Sequence, residues 1–190
     1  MVNPYLILGL GTSAQQLLQK FKPDFSERGG DLGFRIETLD FLPGQLDGCD
    51  FDRRALKSLV DSAEKVLLVV FAGGKGESAI AMFTSEYAIS KKTPVDVLQS
   101  KPFNWEGGRR LTVANTLAEN LSAIGAKVVA VDADSLETTE FDSASEAIAA
   151  LNAGMSKEVN RWALKIDSSS KPSIRVGSVT EGHSISGRGF

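Results

Sequence analysis

The sequence is poor in cysteine and histidine. Among its 190 residues, one is a cysteine, Cys49, and one is a histidine, His183. A single cysteine rules out a disulfide bond within the chain, which is typical of proteins from a reducing compartment. One histidine is too few for a histidine-rich metal site or for a catalytic centre built on several histidines. The composition therefore gives no support to a histidine-rich metal site or a histidine-based catalytic centre, and we assign no residue of the chain as catalytic or as a metal ligand.

Long apolar stretches and blocks of like charge are missing as well. No stretch approaches the roughly 18 consecutive apolar residues of a membrane-spanning helix, and the apolar run after Pro4 is too short for a signal peptide. The net charge is −3, and basic residues cluster no more densely than in the pairs at 91–92 and 109–110. This charge balance gives no support to nucleic-acid binding. We expect a cytoplasmic protein without a membrane span.

Short apolar segments alternate with helical patterns along the chain. The length suits one well-buried domain. Strands that alternate with helices form parallel sheets covered by helices on both faces. The predicted fold is therefore α/β, a doubly wound, three-layer, Rossmann-like parallel sheet of about five strands. We predict strands at 5–8, 33–39, 66–71, 94–99 and 127–131, and helices at 13–21, after Asp50 or Asp52, and at 79–90, 109–124 and 143–165.

The first predicted strand ends in a glycine-rich turn, residues 9–14 with the sequence GLGTSA. A turn of this kind lets backbone N–H groups approach a phosphate at the start of the following helix. It also matches the G-x-G-x-x-A pattern of dinucleotide-binding proteins. Glu37 or Asp40 would then bind the ribose, but both lie further along than the usual ~20 residues. An NAD(P)-dependent enzyme and a plain tight turn therefore remain as alternatives.

The segment 101–110 follows the fourth predicted strand and has the sequence KPFNWEGGRR. A turn at the carboxyl end of a parallel strand is where open α/β sheets place ligands. Glu106 can accept hydrogen bonds from a ribose, and Arg110 lies one helical turn further on the same face. Phe103 and Trp105 can anchor the turn through their aromatic rings. We therefore expect a ligand-binding segment here.

This segment resembles the KPFxFEGxxR motif of FtsZ in the tubulin/FtsZ superfamily, with Trp105 in place of the second phenylalanine. The resemblance extends over about residues 4 to 165 and implies a nucleotide-binding domain at 1–166, followed by a Ser/Gly-rich tail at 167–190. It implies GTP or GDP as the ligand, with room for Mg²⁺, and an FtsZ-like or other protein as a partner. Roughly ten residues separate Asp40 from Asp52, where the family has a further helix and strand, so we expect the sheet order 2-1-3-4-5.

The resemblance also assigns the nucleotide-binding residues. The first turn is similar to GxGGGGxNA, and the segment 72–78, AGGKGES, is similar to GGGTG[TS]G with Lys75 and Glu77 in place of hydroxyl residues. Within the last predicted helix, residues 147–152 with the sequence AIAALN are similar to the family's AFGAAN segment, in which the asparagine recognises guanine. The predicted nucleotide-binding residues are Gly9, Gly11, Thr12, Ser13, Gln15, Gln16, Gly73, Gly74, Lys75, Gly76, Glu106, Arg110 and Asn152.

Glu77 and the region after Lys165 set this chain apart from the motifs that it resembles. A carboxylate at position 77 would face a triphosphate with like charge, and Lys75 could offset part of the repulsion. Nothing after Lys165 resembles the NxDxAD acidic cluster of the family's catalytic loop. We therefore expect a guanine-nucleotide-binding or interaction module related to the cytoskeleton or cell division, rather than a self-sufficient GTPase. The alternatives are a GTPase whose catalytic acids come from a partner, and a Rossmann-type NAD(P)-binding enzyme.

Overall fold

Five parallel strands and five α-helices alternate along the part of the chain that the computed structural model describes, residues 5–21, 33–39, 51–135, 141 and 143–170. Two short 3₁₀ turns, Asn104–Glu106 and Ala133–Ser135, follow the last two strands. The strands are β1 (Tyr5–Leu10), β2 (Phe34–Leu39), β3 (Lys65–Phe71), β4 (Val95–Lys101) and β5 (Lys127–Asp132). The helices are α1 (Thr12–Gln19), α2 (Arg53–Asp61), α3 (Lys75–Ser90), α4 (Gly108–Ala123) and α5 (Ala144–Ser170).

The strands form one sheet in the order β2-β1-β3-β4-β5, with every neighbouring pair parallel. This confirms the predicted fold class and strand order. The central strands β1 and β3 are almost wholly buried, as expected for parallel strands covered on both faces. Leu10 of β1 pairs in register with Val70 of β3. The turns that follow these two strands therefore lie side by side at the carboxyl edge of the sheet.

Helices cover the sheet in two layers, each with its own apolar core. Because successive strand residues point to opposite faces, Leu8 and Leu68 pack with α2, α3 and α4, whereas Ile7 and Leu67 pack with α1 and α5. The chain thus leaves β1 toward one face and β3 toward the other. In doubly wound sheets the crevice between two such strands is the usual place for a ligand.

The start of one helix differs from the sequence prediction, whereas the start of another selects between the two caps that the sequence offered. The helix predicted from residue 79 begins at Lys75, because the extended backbone of Gly74 forms its N-cap. Lys75, Gly76 and Glu77 are therefore the first helical turn rather than part of a loop. At the other helix, Asp52 is the cap, with Oδ1 accepting hydrogen bonds at 2.9 Å from the backbone N–H groups of residues 54 and 55.

The last helix, α5, extends to Ser170, beyond the predicted end at residue 165. A stripe of buried side chains, which includes Leu151, Met155 and Trp162, fixes it against the sheet. The helix crosses position 166, so the division between domain and tail stays a prediction, and residues 171–190 lie outside the described part. None of the helices in the described ranges has the length and apolar character needed to cross a membrane.

Candidate functional site

A cleft of about 230 Å³ opens at the carboxyl edge of the sheet. Its walls bring together residues from three segments that are far apart in the sequence. Ser13 and Gln16 come from α1, Glu106 and Arg110 come from the segment after β4, and Asn152 comes from α5. The helices reach this edge because each one starts or passes where a parallel strand ends. Five of the predicted binding residues therefore share one cavity.

Glu106 organises the turn after β4 through both of its carboxylate oxygens. Oε1 accepts a hydrogen bond from the backbone N–H of Phe103 at 2.9 Å, and Oε2 lies 2.7 Å from Nη1 of Arg110. The Glu106 side chain is 18% exposed and that of Arg110 is 52% exposed. The predicted pair of Glu106 and Arg110 is thus present, and its contacts stabilise the turn. Arg110 remains the more accessible partner for a ligand.

The two aromatic residues of the segment have different positions. Phe103 is buried at 3% exposure, whereas Trp105 is 63% exposed. Their rings stack with centroids 5.1 Å apart and planes 16° from parallel. Phe103 is therefore the buried anchor of the turn, and Trp105 stacks on it with one face of its ring. Its other face is available to stack on a planar ligand, since Trp105 also lines the cleft.

Gly9, Gly11 and Gly73 are glycines for different reasons. Gly11 and Gly73 have φ angles of +84° and +124°, which residues other than glycine rarely adopt. A β-carbon on Gly73 would lie 2.9 Å from Nε of Arg110, so the turn after β3 packs directly on that side chain. Gly9 lies within β1, where a β-carbon would lie 2.7 Å from Cδ1 of Leu18. Close packing of α1 on the strand therefore accounts for Gly9.

The carboxylate of Glu77 lies between the turns that follow β1 and β3. A β-carbon on Gly11 would lie 3.1 Å from Glu77 Oε1, and one on Gly74 would overlap Glu77 Oε2. Oε2 is buried and has no hydrogen-bond partner among the described residues. The start of a helix is where backbone N–H groups ordinarily bind a phosphate. In this chain the space beside the two helix starts holds a side-chain anion.

Comparison of the three-dimensional structure with solved structures decides the fold family. FtsZ from M. jannaschii, described as an empty dimer, superposes with a TM-score of 0.69 at 14% identity, over 82% of this chain and 52% of that one. CetZ from Methanosaeta thermophila superposes with a TM-score of 0.66 at 15% identity, over 88% and 56%. TubZ of Clostridium botulinum phage c-st gives 0.55 at 11% identity, over 85% and 59%. The chain has an FtsZ/tubulin-like fold.

Searches with the sequence as a whole find no match. No protein-family model matches the sequence, and no curated protein matches it either. The chain spans between about half and three fifths of the length of the three structures, at 52%, 56% and 59%. The superpositions establish the fold. Because the sequence identities are only 11–15%, the function has to be inferred from the chemistry of the site.

The remaining predicted residues lie around the cleft rather than in its walls. Thr12 and Lys75 are exposed at the starts of α1 and α3, Gln15 is half-buried, and Gly76 is buried in the first turn of α3. Thr12, Gln15, Lys75 and Gly76 do not line the cleft, so their assignment as nucleotide ligands stays a prediction. Across the described ranges, no three His, Cys, Asp or Glu side chains cluster so as to hold a metal ion.

Proposed function

We propose that the chain is an FtsZ-like module that binds a guanine nucleoside or nucleotide in the cleft at the carboxyl edge of its sheet. The observation that carries the proposal is the convergence of Gln16, Glu106, Arg110 and Asn152 on one cavity. These residues come from three separate motifs, each of which the resemblance to FtsZ assigns to nucleotide binding. A cavity at a topological switch point with a few converging polar groups is the usual form of a ligand site.

The chemistry of the walls suits a purine base and its sugar. The amide groups of Gln16 and Asn152 each offer donors and an acceptor, which complement the N1–H, N2–H and O6 groups of guanine. The open face of Trp105 can stack on the base. Glu106 and Arg110 supply the carboxylate and guanidinium that suit ribose hydroxyls. The cleft, at about 230 Å³, is smaller than the roughly 300–1,000 Å³ of typical ligand pockets, so it suits a base with its sugar better than an entire triphosphate.

The direct test is a ligand panel measured by thermal shift and confirmed by calorimetry. The panel contains guanosine, GMP, GDP and GTP, the matching adenine series, and NAD⁺. We expect stabilisation by at least one guanine compound and less by its adenine counterpart, since a ligand that binds only the folded state raises its stability. Stabilisation by NAD⁺ alone would favour the Rossmann-type enzyme. The absence of any guanine-dependent shift would reject the proposal.

We propose further that the module acts beside FtsZ-like filaments. This rests on the shared fold and on the exposed apolar side chains at the cleft mouth, where Trp105 and Ile148 are 63% and 49% exposed. Exposed apolar side chains near a binding site often mark a protein contact. Co-sedimentation with FtsZ-like filaments from the same organism tests it, with Trp105→Ala as the variant expected to remain in the supernatant. Equal pelleting of both proteins would argue against this contact surface.

A further inference from the structure

We propose that the carboxylate of Glu77 is a built-in anion at the position that the phosphate chain of a nucleotide would take, so that the cleft selects guanosine and GMP over GDP and GTP. The identity of the base rests on the proposed function above. The exclusion of added phosphates rests on the geometry around Glu77 and can be tested without the base.

Two helix starts converge on Glu77. The turns after β1 and β3 are adjacent because Leu10 and Val70 are in register, and α1 and α3 leave them toward opposite faces of the sheet. The N-caps of both helices are glycines, Gly11 and Gly74, and neither helix has a side-chain hydrogen bond at its cap. Each start therefore presents backbone N–H groups and the positive end of a helix dipole without a capping side chain.

Glu77 fills the space in front of these helix starts. It is the third residue of α3, and its carboxylate reaches back to Gly74 and across to Gly11. Oε2 is buried and has no hydrogen bond from the residues that the structure describes, a placement that is unfavourable for a charged oxygen unless a positive potential offsets it. The two helix dipoles supply that potential. It is the same potential that would hold a phosphate, so a phosphate and the Glu77 carboxylate compete for one place.

The neighbouring cations do little to relieve the competition. Arg110 packs against Gly73 beside the turn, but its guanidinium is already engaged 2.7 Å from Glu106. Lys75 is exposed to solvent, where water and salt weaken its effect on a buried anion. A second and third phosphate would therefore meet the Glu77 carboxylate without a matching gain in positive charge.

The decisive experiment compares Kd values for guanosine, GMP, GDP and GTP by calorimetry, with and without Mg²⁺, in the wild type and in Glu77→Gln. We expect wild-type affinity to fall at least tenfold from GMP to GTP. Glu77→Gln keeps the shape and removes the charge, so it should raise GTP affinity at least tenfold and change guanosine affinity less than twofold. Glu77→Thr, which also removes the bulk, should have the same effect. Glu86→Gln is the matched control, because Glu86 is exposed on the same helix and should bind like the wild type.

Several results would overturn the inference. Wild-type affinity that rises with each added phosphate, an unchanged GTP-to-GMP ratio in both Glu77 variants, or tight Mg²⁺-dependent GTP binding by the wild type would each do so. In the last case, Glu77 would be a partner of the metal rather than an occupant of the phosphate position.

A companion measurement separates this inference from the proposed function. Inorganic pyrophosphate should raise the melting temperature of Glu77→Gln and leave the wild type and Glu86→Gln unchanged. If pyrophosphate behaves so while no guanine compound binds any variant, the inference stands and the proposed function fails. If guanosine binds but neither Glu77 variant changes the response to phosphates, the proposed function stands and the inference fails. If neither effect is seen, both fail.

Discussion

The two ends of the sheet carry cavities of similar size and opposite character. The cleft at the carboxyl edge measures about 230 Å³, and one at the amino ends of the strands, which Lys65, Asp96 and Trp162 help to line, measures about 250 Å³. At the amino end, Asp96 accepts a hydrogen bond from Trp162 Nε1 at 2.6 Å and lies 2.8 Å from Lys65 Nζ. At the carboxyl end, a buried oxygen of Glu77 has no hydrogen-bond partner within the described part of the chain.

The two cavities differ in how their polar groups are paired rather than in volume. At the amino-end cavity, Asp96 is paired with both Lys65 and Trp162, and these contacts tie α5 to the sheet. At the carboxyl end, the buried Oε2 of Glu77, which has no hydrogen-bond partner among the described residues, is an unfavourable feature. Such a feature persists where a site needs it. We therefore expect mutations at the amino end to change stability and mutations at the carboxyl end to change binding.

The largest effect is expected at the amino end. Trp162 is 9% exposed, and Trp162→Ala should lower the free energy of unfolding by about 3–5 kcal/mol, as large-to-small substitutions of buried aromatic residues do. Urea denaturation followed by circular dichroism measures it. Trp162→Phe keeps one aromatic ring but loses the second ring and the N–H donor to Asp96, so it should cost less than the alanine substitution, about 1–3 kcal/mol. Unaltered stability in Trp162→Ala would show that the amino-end cluster does not hold α5.

The next effect is expected at the carboxyl end. Arg110→Ala should weaken guanine-ligand binding by about 1–3 kcal/mol, the range for a charge-assisted hydrogen bond. Its neighbour Arg109 is exposed and does not line the cleft, so Arg109→Ala makes the same charge change as a control. Calorimetry on both variants separates a local contact from a general loss of positive charge. Equal affinities for the two variants and the wild type would remove Arg110 from the site.

A smaller change is expected in base selectivity. Asn152→Ala should reduce the preference for guanosine over adenosine by about 1 kcal/mol, the net contribution of one hydrogen bond, which is roughly fivefold in Kd. Asn160 lies on the same helix, is exposed and is outside the cleft, so Asn160→Ala should keep the wild-type preference. Competition between the two nucleosides gives the ratio directly. A ratio that survives in Asn152→Ala would assign base recognition elsewhere.

We expect the purified chain not to hydrolyse GTP. The purified chain should release phosphate from GTP at the background rate and form no filaments, because the carboxylate of Glu77 leaves no place for a terminal phosphate. Phosphate release and sedimentation measure the two outcomes. Activity that rises with protein concentration would contradict the prediction. Activity that appears only with an FtsZ-like partner would instead favour the partner-dependent GTPase.

The fold followed from the sequence because its signals are local. The run from Val66 to Phe71 is apolar throughout and is followed by two glycines, which suffices to place a central strand and its turn. The predicted start of α3 was too late in the sequence. Glycine disfavours helices, yet Gly76 is buried within the first turn of α3. Packing against the sheet overrode the local preference at that position.

The residues of the candidate site were predicted from three motifs that resemble those of FtsZ. Ser13, Arg110 and Asn152 each come from a different motif, and the structure brings them to one cavity. The carboxylate of Glu77 against Gly11 depends on the spacing between two turns that are distant in sequence, so no local pattern reveals it. The bond between Trp162 and Asp96 likewise joins α5 to β4.

The two tryptophans give the molecule a separate optical reporter at each end. Trp105 is 63% exposed in the cleft, Trp162 is 9% exposed on the buried face of α5, and the chain has no other tryptophan. A solvated indole emits at longer wavelength than a buried one and is readily quenched by iodide. Trp105→Phe therefore leaves a protein whose emission follows unfolding, whereas Trp162→Phe leaves one whose emission follows occupancy of the cleft.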